Sequence, residues 1–225
     1  MRLATFNIKH AELRGVDAVA AVIRNARADL VGLQEVDVGC TRSGCADQPA
    51  ELGRRLAMSH AFAAALSLEG GAYGNALLVA PALASTLEVQ AIPLPGGDGS
   101  GEEARVLLTG AAGGFRLYVA HLDLPPAVRL LQAEALAEVI GDARGAVLFA
   151  DFNEPPHGAA VQRLLDLGFR DAWIEAGAAE LITAPADRPQ ARIDQVLLGP
   201  GVPRALSAQA LRTDASDHSL IVVEL

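Results

Sequence analysis

Apolar runs in this chain end again and again in an acid, an amide or an imidazole. "VLFADFN" delivers Asp151 and Asn153 to the tip of a strand-like run, and Glu154, Pro155 and Pro156 then forbid regular continuation. Asn7 follows "LATF", Glu35 follows "LVGLQ", His121 follows "LYVA", Asp194 opens "DQVLL", and Asp217 and His218 precede "SLIVVEL". A turn accounts for any one of these, since Asp and Asn readily bond their own backbone at strand ends. Burying a polar group without a partner costs roughly 1 to 3 kcal/mol, and a charge costs more. The repeated pattern therefore implies that these groups meet one another. Three carboxylates, Glu35, Asp151 and Asp217, can gather only around a cation, and hard oxygen ligands beside an amide suit Mg²⁺ or Mn²⁺.

Short strands alternating with helices must position these tips. "RLATFNI" and "LVGLQEV" read as strands. Between them "VDAVAAVIRNARAD" puts Val19, Val22, Ile23 and Ala26 on one helical face, with Asp17 as the expected cap. "DQPAELGRRLAM" reads as a short helix capped by Asp47, with Pro49 in its first turn. Five strand-like runs follow from residue 61, the last two joined at Gly113-Gly114 as a tight hairpin. "PPAVRLLQAEALAEVIGD" carries Val128, Leu131, Ala135, Leu136 and Val139 at helical spacing. Strand "AVLFADF", helix "AAVQRLLDLG", strand "FRDAW" and three further strands close the chain. Residues 93–103, "PLPGGDGSGEE", read as a mobile loop between strands, not a boundary. The pattern predicts a single α/β domain over 1–225, with two mixed or antiparallel sheets facing each other and helices outside.

The bulk numbers narrow the function. Hydrophobic residues make up 51% of 225, enough for a sizeable core. Net charge is −9, which disfavours adhesion to long polyanions. Lys is nearly absent, and Arg supplies almost all positive charge. Cys40 and Cys45 make neither a disulfide framework nor a zinc site, and read as reduced thiols on a loop. No signal peptide and no membrane-length apolar run is visible, so a cytoplasmic protein is expected.

"TFNI", "LQEV", "YGNALL", "AHLD", "ADFN", "RIDQVLL" and "SDH" occur in the order found in the endonuclease/exonuclease/phosphatase (DNase I-like) superfamily, and the chain resembles it from residue 2 to 225. The resemblance implies a four-layered α/β sandwich and metal-dependent hydrolysis of phosphoesters. It implies Glu35 as principal metal ligand, with Asn7 beside it ordering the site and Asp217 at its edge. Asp151 and Asn153 would flank the phosphorus, His218 would pair with Asp194, and His121 would donate to the phosphate. Whether His218 or Asp151 acts as general base stays open. Three departures matter. Ala150 stands for the usual Gly, "AHL" replaces "THL", and Lys9 occupies a place where the apurinic endonucleases carry an acid or polar residue. The stretches "RSGCADQPAEL" and "TAPADRPQARID" look like those of small bacterial members known only as metal-dependent hydrolases.

Further candidates line up around this set. Tyr73 and Asn75 read either as site wall or as core. Arg42, Asp47 and Gln48 lie in a stretch that either faces substrate or is solvated. Arg105 either touches phosphate or pairs with the preceding glutamates, and Trp173 reads as core. With no basic cluster and few aromatics, the expected substrate is a small-molecule or lipid-headgroup phosphoester, not duplex DNA. A nuclease of the same family is the alternative, and a non-catalytic binding module that kept the fold is the third.

Overall fold

The computed structural model describes residues 1–83, 87–97, 102–179 and 191–225. Residues 98–101 of the expected mobile loop and 183–190 of "TAPADRPQARID" lie outside these.

Two six-stranded sheets form the middle of the molecule. The first contains β1 (Arg2–Asn7), β2 (Leu30–Val38), β3 (Ser59–Leu68), β4 (Gly71–Val79), β11 (Ser207–Leu211) and β12 (Leu220–Glu224), in the order β11-β12-β1-β2-β4-β3. The second contains β5 (Val89–Pro93), β6 (Val106–Ala112), β7 (Phe115–His121), β8 (Ala146–Asp151), β9 (Arg170–Asp171) and β10 (Asp194–Leu198), in the order β5-β6-β7-β8-β10-β9. β1 runs parallel to β2, and β7 to β8; the other pairs are antiparallel.

Alternation along each strand sends one set of side chains between the sheets, where Leu3, Leu30, Leu77, Val119, Val147 and Phe149 form the central core. Gly32 is required there: a Cβ on it would lie 2.3 Å from that of Phe149. The other faces are covered by helices. α1 (Gly15–Ala26) and α2 (Gln48–Leu56) lie against the first sheet. α3 (Pro126–Ile140) and α4 (Ala159–Leu165) lie against the second. This is the four-layered sandwich expected from the sequence. The Gly113-Gly114 turn is a hairpin with φ of 59° and 82°, the left-handed pair that glycine supplies. Asp47 caps α2, accepting from Ala50 N at 3.0 Å. Cys40 and Cys45 are both free, one buried and one exposed. Among the described residues, no helix is long and apolar enough to cross a membrane.

Several local expectations need correction. Asp17 does not cap α1; it sits in the first turn and pairs with Arg55 at 2.5 Å. Val22 is only half-buried, and Ala20 takes its place in the buried stripe. In α3 the buried stripe is Arg129, Gln132, Ala133, Leu136, Ala137 and Ile140, whereas Leu131 and Val139 are exposed. Polar partners account for the rotation. Gln132 bridges Pro95 O and Asp123 N at 2.9 Å each, and Arg129 Nε donates to Glu154 Oε2 at 2.9 Å. "FRDAW" is a two-residue strand that turns at once into α5 (Ala172–Glu175), because Asp171 caps that helix through Trp173 N and Ile174 N. Trp173 is core, as expected.

Glu154, in the loop after β8, also accepts from Ala160 N and Val161 N at 2.7 and 3.0 Å. It thus ties the tip of β8 to both outer helices. Glu154→Ala would strip α4 of its cap and leave Arg129 buried without its carboxylate, so a loss of about 3 kcal/mol or more is expected. Urea denaturation at pH 7 checks this; a change under 1 kcal/mol would contradict it.

Candidate active site

Strand direction explains why the polar tips converge. β1, β7 and β8 end where their antiparallel neighbours β12 and β10 begin, so Asn7, His121, Asp151, Asp194 and the loop before β12 all emerge at one edge of the sandwich. Register is close: His121 and Asp194 are the partners of Asp151 on either side. Glu35 reaches the same edge through a β-bulge, at which Gln34 and Glu35 together oppose one residue of β4. Glu35 has φ of 55° and Asn153 has φ of 51°. The left-handed region is costly for non-glycine residues, and such strain clusters where a side chain must be aimed.

One hydrogen-bond network joins the tips across the two sheets. Asn7 Nδ2 donates to Glu35 Oε1 at 2.8 Å and to Asp151 Oδ2 at 3.0 Å. Asn153 N donates to Asp151 Oδ1 at 2.9 Å, and Asn153 Nδ2 to Leu122 O at 2.8 Å. His218 Nδ1 faces both oxygens of Asp194 at 3.1 and 3.0 Å, and Asp151 Oδ2 at 3.8 Å. Ser216, a site residue that the type and spacing of the "SDH" stretch do not single out, donates to Asn7 O at 2.7 Å and accepts from His218 N at 3.1 Å. That residue fastens the β12 loop to the end of β1.

Charge follows geometry. Burial and the charge of Asp194 raise the Asp151 carboxyl to about 6, against the opposing pull of His218, Asn7 and Asn153. For His218, burial favours the neutral ring, but the charge and hydrogen bond of Asp194, helped by Asp151 and Asp217, raise it to about 10. It is therefore an imidazolium at neutral pH. His121 is held well below its ordinary value by burial, then by the positive charges of Arg105 and His218. Arg105 Nη1 lies 2.9 Å from His121 Nδ1, and a guanidinium can only donate. Nδ1 is thus the acceptor, and the ring proton sits on Nε2, 3.6 Å from Asp151 Oδ2; Asn153 Nδ2, 3.1 Å from Nε2, is a second donor at this point and is held by Leu122 O, not by the ring.

Asn7, Glu35, His121, Asp151, Asn153, Asp194 and His218 thus come together. Two expected metal ligands stand differently. Asn7 turns its Nδ2 toward the carboxylates while Oδ1 accepts from Lys9 N at 3.0 Å, so it spaces the acids and offers no oxygen to an ion. Asp217 is ion-paired with Lys9 at 3.1 Å. Of the substrate-binding candidates, Arg42 and Tyr73 share with Glu35 the wall of a cavity of about 360 Å³. Arg42 lies over the Tyr73 ring, 5.2 Å from its centroid, and both its Nε and Nη2 are engaged by Asp37. Asn75 is not part of the site: it is buried and donates to Val106 O at 2.8 Å, linking the sheets. Gln48 is likewise buried, donating to His10 O and accepting from Asp37 N. A larger hollow of about 470 Å³ beside the Gly113-Gly114 turn contains none of these residues.

Asp151, Asp194 and His218 offer ligand atoms within 4.8 Å of one another. The Asp194–His218 contacts are hydrogen bonds in length, and Nδ1 is occupied by them, so this trio is better described as a hydrogen-bonded charge pair beside Asp151 than as a ligand set. Asp217 is taken by Lys9 and Asp194 by His218, which leaves Glu35 as the acid that best fits a divalent ion, with Asp151 facing it across the Asn7 amide. Burial first, and then the charge of Asp194, raises the Asp151 carboxyl, and a cation beside it would oppose both.

Arg105→Met should let His121 titrate closer to its ordinary value, since the guanidinium is the second cause of its lowering after burial. Histidine proton NMR across pH checks this. An unaltered His121 titration would remove Arg105 from any positioning role.

A two-sheet sandwich with acids, amides and imidazoles gathered at one edge defines a class of phosphoester hydrolase fold. The profile of the Endonuclease/Exonuclease/phosphatase family matches residues 4–218, and the chain belongs to that family. Its members generally hydrolyse phosphoester bonds and typically use divalent metals. No curated protein matches the chain in sequence. Solved structures share the fold. An endonuclease/exonuclease/phosphatase from Beutenbergia cavernae DSM 12333 is 23% identical with a TM-score of 0.76, over 99% of this chain and 70% of the other. A functionally unknown conserved protein from Enterococcus faecalis V583 is 18% identical with a TM-score of 0.79, over 100% and 98%. Truncated Caenorhabditis elegans TDP2 is 21% identical with a TM-score of 0.71, over 99% and 95%.

Proposed function

We propose that this chain is a metal-dependent phosphodiesterase or phosphatase acting on a small-molecule or lipid-headgroup phosphoester. The observation that carries this reading is the buried Asp151, set between the Asn7 amide, the His218–Asp194 pair and the neutral His121. Glu35 would hold Mg²⁺ or Mn²⁺, with Asp151 across the Asn7 amide. The bound ion supplies positive charge against the phosphoryl oxygens and the leaving group.

The chain's own groups do the rest. Asp151, its carboxyl raised by burial and by Asp194, is the group suited to take a proton from the attacking water. His218 enters as an imidazolium, so it donates from Nε2 while Asp194 holds Nδ1. His121 Nε2 and Asn153 Nδ2 supply neutral donors to the phosphoryl oxygens. Asp151 is thereby the better general base, and His218 the electrostatic partner.

Charge favours a small substrate. Net charge is −9, and Arg42, Arg129 and Arg192 are each committed to an acid, Asp37, Glu154 and Asp171. That balance is poorly suited to tracking a duplex backbone. Bis(p-nitrophenyl) phosphate hydrolysis with Mg²⁺ or Mn²⁺ added back, compared with His218→Ala, tests the proposal. Metal-dependent turnover lost in the variant supports it. Inert wild-type protein across a phosphoester panel would favour a binding module, and salt-sensitive plasmid cleavage surviving repurification would favour a nuclease.

A further inference from the structure

Of the 18 Lys and Arg residues, Lys9 alone is lysine. Every other basic position in the chain has accepted arginine, and the one exception stands two residues after Asn7, at the edge where the polar tips gather. Its Nζ lies 3.1 Å from Asp217 Oδ2 and 3.8 Å from Glu12 Oε2, with a third of the side chain exposed. Asp217 first, then Glu12 and Glu35, favour its charged form, so the ammonium lies within the field of the proposed metal-holding acid.

The backbone is bent to place it. Lys9, His10 and Ala11 have φ of 46°, 41° and 55°, three consecutive non-glycine residues in the left-handed region. Strain of that kind costs of order 1–3 kcal/mol per residue and persists only where surroundings impose it. Here the Lys9 N–H is fixed by Asn7 Oδ1 at 3.0 Å, the contact that also turns Asn7 Nδ2 toward Glu35 and Asp151. Lysine and arginine differ in ways that matter at such a point. An ammonium is a compact point charge with three donors, able to serve Asp217 and a second oxygen at once, whereas a guanidinium is a wide planar fork that pairs best with one carboxylate.

We infer that Lys9 is a further substrate-contacting residue: its ammonium, anchored by Asp217, binds a non-bridging oxygen of the phosphoester and supplies a fixed positive charge beside the metal position. This rests on the hydrolase reading above, and it accounts for Asp217 as an anchor for Lys9 instead of a metal ligand.

The single lysine makes a direct test possible. Feeding ¹³C-lysine during expression gives a protein with one lysine side-chain Cε signal. That signal is expected to shift when phenylphosphonate is added in the presence of Mg²⁺, and to shift less in Asp217→Asn. Lys9→Met and Lys9→Arg are each expected to lower kcat/KM for bis(p-nitrophenyl) phosphate about tenfold or more, with Mn²⁺ affinity by calorimetry within about twofold of wild type. A Cε signal unmoved by phenylphosphonate, or Lys9→Met retaining wild-type kcat/KM, overturns the inference while leaving the hydrolase reading intact. Inert wild-type protein whose Lys9 signal nevertheless moves would overturn the hydrolase reading and keep the anion contact.

Discussion

Asp151→Asn is expected to lower kcat for bis(p-nitrophenyl) phosphate by about 10³-fold or more and, with metal removed, to make the fold more stable. The amide keeps the shape and one oxygen to accept from Asn7, but it can neither carry the charge nor take the proton. The stability gain follows from linkage. Asp151 titrates near 6 in the fold and near 3.8 when unfolded. Below 3.8 both states hold the proton and the raised value costs nothing; the penalty grows between the two values and is complete above 6. At about 1.4 kcal/mol per pH unit it reaches about 3 kcal/mol at pH 8. The variant gives up part of that, because one carboxylate oxygen now bonds Asn153 N. A net gain of about 1–2 kcal/mol at pH 8, vanishing near pH 4, is expected from urea denaturation in EDTA. Retention of a tenth of wild-type turnover, or a stability difference independent of pH, would mean that Asp151 is neither the base nor a strained acid.

The same balance explains how much of the site the sequence disclosed. Residues at strand tips were legible because the strand pattern is strong and an acid or imidazole beside buried neighbours has to be explained. Parallel pairing of β1 with β2 and of β7 with β8 then brings those tips to one edge without further information. What stayed hidden depends on the third dimension. A period of 3.6 puts an apolar stripe on α3, yet the helix rotates to bury Arg129 and Gln132, whose partners Glu154, Pro95 and Asp123 lie in other loops. The bulge at Glu35 and the left-handed Asn153 leave no mark in the spacing of apolar residues. Asn7 was recognised as a site residue, but which end of its amide faces the acids is decided by the Lys9 N–H, a contact that no motif encodes. "YGNALL" leaves Asn75 between site wall and core, and in the fold its amide bridges the sheets.

Asp194→Asn should separate a hydrogen-bonded charge pair from a metal ligand. Asp194 is fully buried, and its carboxylate is what keeps His218 charged. Without it, burial acts on His218 nearly unopposed, and its titration should fall from about 10 to 6.5 or below, as followed by histidine proton NMR. The sign for stability is opposite to that of Asp151. A histidine raised in the fold stabilises fully below 6.5, where both states are protonated, and that contribution is lost as pH climbs toward 10. Wild-type protein should therefore lose about 2–4 kcal/mol between pH 7 and 10, and the variant should show a much flatter profile across that window. Turnover should drop about 10²-fold or more, since the Nε2 donor is no longer charged, while Mn²⁺ affinity should change less than twofold. If metal affinity fell in step with turnover, Asp194 would belong to the ion. An imidazole still titrating near 10 would show that Asp151 alone sustains the charge on His218, and Asp194 would then serve the fold, not the chemistry.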